Sequence, residues 1–204
     1  MHYDADEATK VAKEVLKAGV DPVEAIEKGI AVGIREMGER FQRFEIFLPH
    51  LVLASDATTD AMKILVAAIP EDRIGLVKRG RIVVGTVEGD LHDLGKNVVV
   101  MMLKSAGFEV FDLGKDVRTE VLVERAQELD ADLIAVSSLM TTTRPYQREL
   151  VEELVRLGLR DRIKVLVGGG PVTREWAVEI GADGYGRDAV EAIAEAKRLL
   201  GVDE

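Results

Sequence analysis

From Arg81 onward, short apolar runs and longer helical stretches alternate, and that alternation constrains the fold more than any other feature of the chain. The apolar runs at 81–87, 133–137 and 164–167 read as strands. Two weaker runs, 109–112 and 184–185, complete the set. Helical patterning marks 95–105, 119–129, 146–157, 173–180 and 189–200. Strands separated by helices predict a doubly wound parallel α/β sheet, in which ligands bind beyond the carboxyl ends of the strands.

The first third reads differently. Apolar residues recur at helical spacing: Val11, Val15 and Leu16, then Ala25, Ile26, Ile30, Ile34 and Met37, then Leu51, Val52, Ala61, Met62, Leu65 and Val66. Asp21-Pro22 starts the second helix with a cap and a proline at its first position, and Pro49 lies in the first turn of the third. The expected organisation is a helical bundle over 1–70, a charged linker over 71–80 and an α/β domain over 81–204.

Composition removes several classes of function. The absence of cysteine excludes structural disulfides, thiolate zinc sites and thiol nucleophiles, so a metal uses His, Asp or Glu, or arrives within a cofactor. A net charge of -10 without a basic cluster argues against nucleic-acid partners. No apolar run reaches the roughly 18 residues of a membrane span, and Met1-His2-Tyr3-Asp4 has neither the basic nor the apolar region of a secretory signal. The expectation is a cytoplasmic protein with no membrane partner.

The chemistry concentrates where the first strand ends, in Glu88-Gly89-Asp90-Leu91-His92-Asp93-Leu94-Gly95. In an extended loop Asp90 and His92 point to the same side. The carboxylate can then accept from one ring nitrogen while the other is free for a metal, an arrangement that fixes the tautomer and strengthens the ligand. The same residues also read as a surface histidine beside an Asp90 helix cap. Two further motifs follow later strands: Val136-Ser137-Ser138-Leu139-Met140-Thr141-Thr142-Thr143 and Val167-Gly168-Gly169-Gly170-Pro171. A dinucleotide site would need GxGxxG directly after the first strand, where only Gly89 and Gly95 stand. A phospho-acceptor at Asp90 or Asp112 would leave His92 and the helical bundle unexplained.

Asp90, His92 and Gly95 in the form DxHxxG, with Ser137-x-Leu139 and Gly168-Gly169 after later strands, resemble the cobalamin-binding domains of methionine synthase, of cobalamin-dependent mutases and of the corrinoid proteins of methyltransferase systems. The resemblance implies a flavodoxin-like (Rossmann-like) five-stranded sheet that binds cobalamin, as methylcobalamin or a related corrinoid. His92 would ligate the cobalt in place of the cofactor's dimethylbenzimidazole, and Asp90 would orient it. Thr143 would extend the relay in the place of a family serine. Ser137 would hydrogen-bond the displaced base, with Leu139 and Thr141 lining its channel. Gly168 and Gly169 would admit the nucleotide tail, with Asp183, Gly184 and Tyr185 near its end. Leu91, Asp93 and Gly95 would lie against the corrin, where a side chain at Gly95 would crowd it.

The stretch from Gly38 to Leu51, with Phe47-Leu48-Pro49 opening a long helix, resembles the helical cap of methionine synthase and of the methyltransferase corrinoid proteins. Phe41 reads as bundle core. Phe47 and Leu51 would shield a methyl group on the upper corrin face, which favours a methyl carrier over a mutase. The family has glycine where this chain has Phe44, so a different turn is expected before Phe47. The cap would be three helices, or completed by another subunit in a homo-oligomer. The function implied is a carrier subunit, not an enzyme with its own substrate site, moving methyl groups between a substrate:corrinoid methyltransferase and an acceptor methyltransferase, with a reductive activation protein as a further partner. The alternative is a cobalamin storage, delivery or sensor protein.

Overall fold

The computed structural model describes residues 5–70 and 80–202. Two compact units are distinguished, Met1–Lys78 with Met101–Phe108, and Arg79–Val100 with Glu109–Glu204. The boundaries inferred from the sequence stay a proposal, because the linker, apart from Gly80, lies outside the described residues.

In the helical unit α1 (Ala5–Lys17) packs against α4 (Leu48–Ala67). Between them α2 (Pro22–Ala25) runs through a single π turn (Ile26–Ile30) into α3 (Ala31–Gln42). Asp21 caps α2, its carboxylate accepting from the Val23 and Glu24 N–H groups at 2.9 and 3.2 Å. Ala12, Val23, Ile26, Ala61, Leu65 and Ile69 form the buried core of this unit. Phe41 is half-buried.

The end of α3 departs from expectation. The N–H groups of Phe44 and Glu45 donate back to the Phe41 and Arg40 carbonyls at 3.1 and 2.9 Å. This pair is the helix-ending pattern that calls for a left-handed residue, most often glycine. Phe44 adopts that conformation itself, at φ 58. The turn is therefore of the glycine type, at a strain of roughly 1 kcal/mol. Its ring and that of Phe47 are both exposed. The Phe47 N–H donates to His50 Nδ1 at 3.1 Å, which anchors the backbone at the start of α4. The side chain of Leu51 lies outside what is described.

The α/β unit is the five-stranded parallel sheet that the alternation predicted. β1 (Arg81–Thr86), β2 (Glu109–Asp112), β3 (Leu133–Ser137), β4 (Lys164–Gly168) and β5 (Gly184–Gly186) stand in the order β2-β1-β3-β4-β5, the flavodoxin-like arrangement. The connecting helices are α5 (Leu94–Ser105), α6 (Thr119–Glu128), α7 (Pro145–Arg156) and α8 (Arg174–Ile180), with α9 (Ala189–Leu200) after β5. Consecutive residues Ile82, Val83, Leu133, Ile134, Leu166 and Val167 are all buried, as strands covered on both faces must be. Val83, Ile134 and Val165 join Leu150, Leu154 and Trp176 in one core cluster. Register places Thr86, Ser137, Gly168 and Gly186 side by side in one row at the carboxyl edge of the sheet. The strand order reverses between β1 and β3, and the loops after these two strands carry the first two motifs.

Candidate cofactor site

Asp90 is the centre of the arrangement. Its side chain is fully buried and anionic, and it accepts hydrogen bonds from both flanks of the switch point. Oδ1 takes the His92 backbone N–H at 3.1 Å and faces His92 Nδ1 at 2.8 Å. Oδ2 takes the Leu139 and Met140 N–H groups at 2.6 and 3.2 Å and the Thr143 hydroxyl at 2.9 Å. Burial alone would raise the carboxyl's pKa. The donors of Leu139, His92 and Thr143 outweigh that effect and hold it down to about 2. An ionised carboxylate can only accept, so His92 Nδ1 is the donor of this contact, and in the neutral imidazole the lone pair is then on Nε2. The imidazole is half-exposed, with 54% of its surface accessible. Asp90 is thus no helix cap, because α5 begins at Leu94 and its first bond runs from the Asn97 N–H to the Asp93 carbonyl.

The relay extends one residue further than the sequence indicated. Ser138, fully buried, lies with its hydroxyl 2.9 Å from Thr143 Oγ1 and 3.1 Å from the Met140 carbonyl. Two adjacent serines stand at the end of β3 and just beyond it, and only the fold decides which one turns inward. Ser137 is half-buried, and its hydroxyl makes no hydrogen bond among the described residues. It is available to a ligand.

Leucines of the His92 segment and of the loop after β3 are open to solvent. Leu91, Leu94 and Leu139 are 63%, 70% and 48% exposed. A side chain added at Gly95 would meet nothing within 4 Å. Exposed leucines beside a free imidazole nitrogen suit a flat apolar macrocycle whose metal takes one protein ligand. Leu94 is not among the site residues inferred from sequence, where the helix is read from Gly95 and the structure starts it one residue earlier. Among the described residues no three His, Asp or Glu side chains converge to hold a bare metal ion. Thr141 is exposed on the same loop as Leu139.

The glycine loop has an internal reason for its composition. A Cβ at Gly168 would stand 2.8 Å from the Gly186 carbonyl oxygen, and one at Gly169, at φ 120, would stand 1.8 Å from that of Ser138. The ends of β3, β4 and β5 therefore meet backbone to backbone. Gln147 reinforces the meeting from α7: its amide donates to the Val136 and Gly168 carbonyls at 3.2 and 3.0 Å and accepts from the Trp176 indole at 3.0 Å. Tyr185 pairs with Val167 across β5 and β4.

Asp183 stands just before β5, at the amino end of the sheet. It accepts from the Val165 N–H at 2.7 Å and pairs with Arg160 at 2.7 Å, where β4 begins. It anchors the amino edge, away from the ligand loops. Asp112, the other candidate phospho-acceptor, is paired with the buried ammonium of Lys96 at 2.5 Å.

A model described as B12 binding domain matches residues 80–194, and a second one with the same description matches residues 1–66. The chain is 50% identical over 194 residues to dimethylamine corrinoid protein 1 of Methanosarcina acetivorans, covering 95% of this chain and 91% of that one. Its structure superposes on a cobalamin-binding protein of Desulfitobacterium hafniense with a TM-score of 0.77 at 33% identity, over 97% of this chain and 93% of that one. It also superposes on a chain of the methanol:cobalamin methyltransferase complex of Methanosarcina barkeri, with a TM-score of 0.81 at 27% identity, over 98% of this chain and 76% of that one.

Proposed function

The chain belongs to the B12-binding family of corrinoid proteins, and from that premise we propose that it is the methyl-carrying subunit of a methyltransferase system, holding its corrinoid through His92. The observation that carries the reading is the half-exposed imidazole whose Nδ1 stands 2.8 Å from a buried carboxylate, which leaves Nε2 as the nitrogen for a ligand. Once bound, the corrinoid supplies a cobalt that accepts a methyl group and gives it up. The chain does the rest. Asp90 holds the imidazole in one tautomer, and Thr143 with Ser138 holds Asp90. Ser137 offers its hydroxyl to the displaced base, with Leu139 and Thr141 beside it. Leu91, Asp93 and Gly95, joined by Leu94, face the ring, while backbone groups at Gly168 and Gly169 and the side of Tyr185 meet the tail.

Methyltransferases are the partners on both sides of the carrier. We take the donor to be a methylated amine, because the dimethylamine corrinoid proteins stand at 50% identity and the methanol-system chain at 27%. A reductive activation protein and self-association complete the proposed partners, with the cytoplasm as the compartment. Among the described residues no helix is long and apolar enough to cross a membrane.

The test is reconstitution with cobalamin whose own base is isotopically labelled, followed by electron paramagnetic resonance of the cobalt(II) form. Splitting from an unlabelled protein nitrogen is expected; splitting from the labelled base rejects the His92 assignment. Transfer from dimethylamine with its methyltransferase then separates a carrier from a storage protein, which would bind the cofactor without turnover.

Phe47 and Leu51 are proposed to shield the methyl group. Phe47 is 62% exposed, so bundle packing does not account for it. Phe47→Ala, loaded with methylcobalamin, is expected to lose its methyl group to light faster than the unaltered protein, while helical stability changes by no more than about 0.5 kcal/mol. An unchanged photolysis rate would remove Phe47 from the role.

A further inference from the structure

The loop after β2 carries no recognised motif, yet it makes the backbone contacts that locate the His92 loop. The Thr86 N–H donates to the Gly114 carbonyl at 3.0 Å, and the Val117 N–H donates back to the Thr86 carbonyl at 3.0 Å. One step further out Asp116 grips the ligand loop twice. Its N–H donates to the Asp90 carbonyl at 3.1 Å, and its carboxylate accepts from the Gly89 N–H at 2.7 Å. To do both, Asp116 adopts a left-handed conformation at φ 55, and Gly89 one at φ 75. Behind it, the Lys96–Asp112 ion pair, with the lysine side chain 1% exposed, ties the start of α5 to the end of β2.

Resting on the reading of His92 as the cobalt ligand, we infer that Asp116 is a positioning residue for it. The β3 loop fixes the Asp90 carboxylate, through Leu139, Met140 and Thr143. On that side the backbone is held at Val87, whose N–H donates to the Ser137 carbonyl at 3.1 Å, and among the described residues no bond from β3 reaches the backbone of Gly89 or Asp90. Asp116 reaches both from the β2 side, and the two loops together leave Asp90, and hence the imidazole it orients, a single position. A ligand has to be held within about 0.5 Å of its productive place, and a backbone gripped on one flank only can tilt.

The conformation of Asp116 provides a clean test. Glycine adopts φ 55 without strain, so Asp116→Gly removes the carboxylate while leaving the backbone at least as comfortable. Asp116→Asn keeps an oxygen that can accept from the Gly89 N–H and tolerates the same conformation. Full-length protein and both variants are loaded with base-labelled cobalamin; cofactor affinity, the cobalt(II) nitrogen splitting and urea unfolding followed by Trp176 fluorescence are then measured. The inference expects Asp116→Gly to unfold at the same or a higher urea concentration, to bind cobalamin about 10-fold more weakly, and to show a weakened or mixed protein-nitrogen splitting, with Asp116→Asn close to the unaltered protein in all three. Affinity and splitting unchanged in Asp116→Gly would overturn it, as would a lower unfolding midpoint with intact splitting, which marks a purely structural contact. Absence of protein-nitrogen splitting in the unaltered protein would reject the His92 reading itself and this inference with it.

Discussion

His92→Ala is expected to abolish the protein-nitrogen splitting of the cobalt(II) form and to lower methyl transfer by more than about 100-fold, since losing an outer-shell partner alone costs 10 to 100-fold. The fold should scarcely notice. His92 is half-exposed, and after its ring is removed Asp90 still accepts from the N–H groups of His92, Leu139 and Met140 and from the Thr143 hydroxyl, so no buried charge is stranded. Cobalamin should still bind through its tail, with the lower position open or taken by its own base. Unchanged splitting and transfer would mean that the imidazole is an ordinary surface group.

Gly169→Ala is expected to act on the fold. The new methyl group would be directed at the Ser138 carbonyl oxygen, 1.8 Å away, and at a φ of 120 that side chains rarely adopt. All three atoms it would meet are Ser138 backbone, with no flexible side chain that could swing aside. Overpacking and backbone strain each cost about 1 to 3 kcal/mol, so a loss of roughly 2 to 6 kcal/mol follows. The chain has one tryptophan, Trp176, buried in the α/β core, and its fluorescence reports the unfolding of this unit without the helical one. Urea denaturation should show the midpoint fall sharply. A variant as stable as the parent would mean that the loops after β3 and β4 can part easily, and the argument from glycine packing would fail.

In a parallel sheet the order along the chain fixes the edge, since a residue before a strand stands at the amino edge and one after it at the carboxyl edge. Asp183 precedes β5 and so belongs to the amino edge, where Arg160 and the Val165 N–H take its carboxylate. Phe44 shows the reverse. The sequence suggested a changed turn because glycine is missing, yet the hydrogen bonds closing α3 impose the left-handed conformation on whatever residue stands there.

Local patterns carried the elements. Apolar runs specified β1, β3 and β4, Asp21-Pro22 specified the start of α2, and the strand-helix alternation specified a parallel sheet with its ligand loops at the carboxyl ends, because these depend on backbone propensity and on which faces must leave water. Asp90 and His92 were legible for the same reason, being two residues apart. Tertiary structure alone decided that Ser138 rather than Ser137 turns toward Thr143, that Gly169 abuts Ser138, and that Asp116 grips Gly89 and Asp90. Those contacts join residues that are remote in sequence and adjacent only after register has aligned Thr86, Ser137, Gly168 and Gly186 in one row, and the order of residues along the chain contains no measure of that alignment.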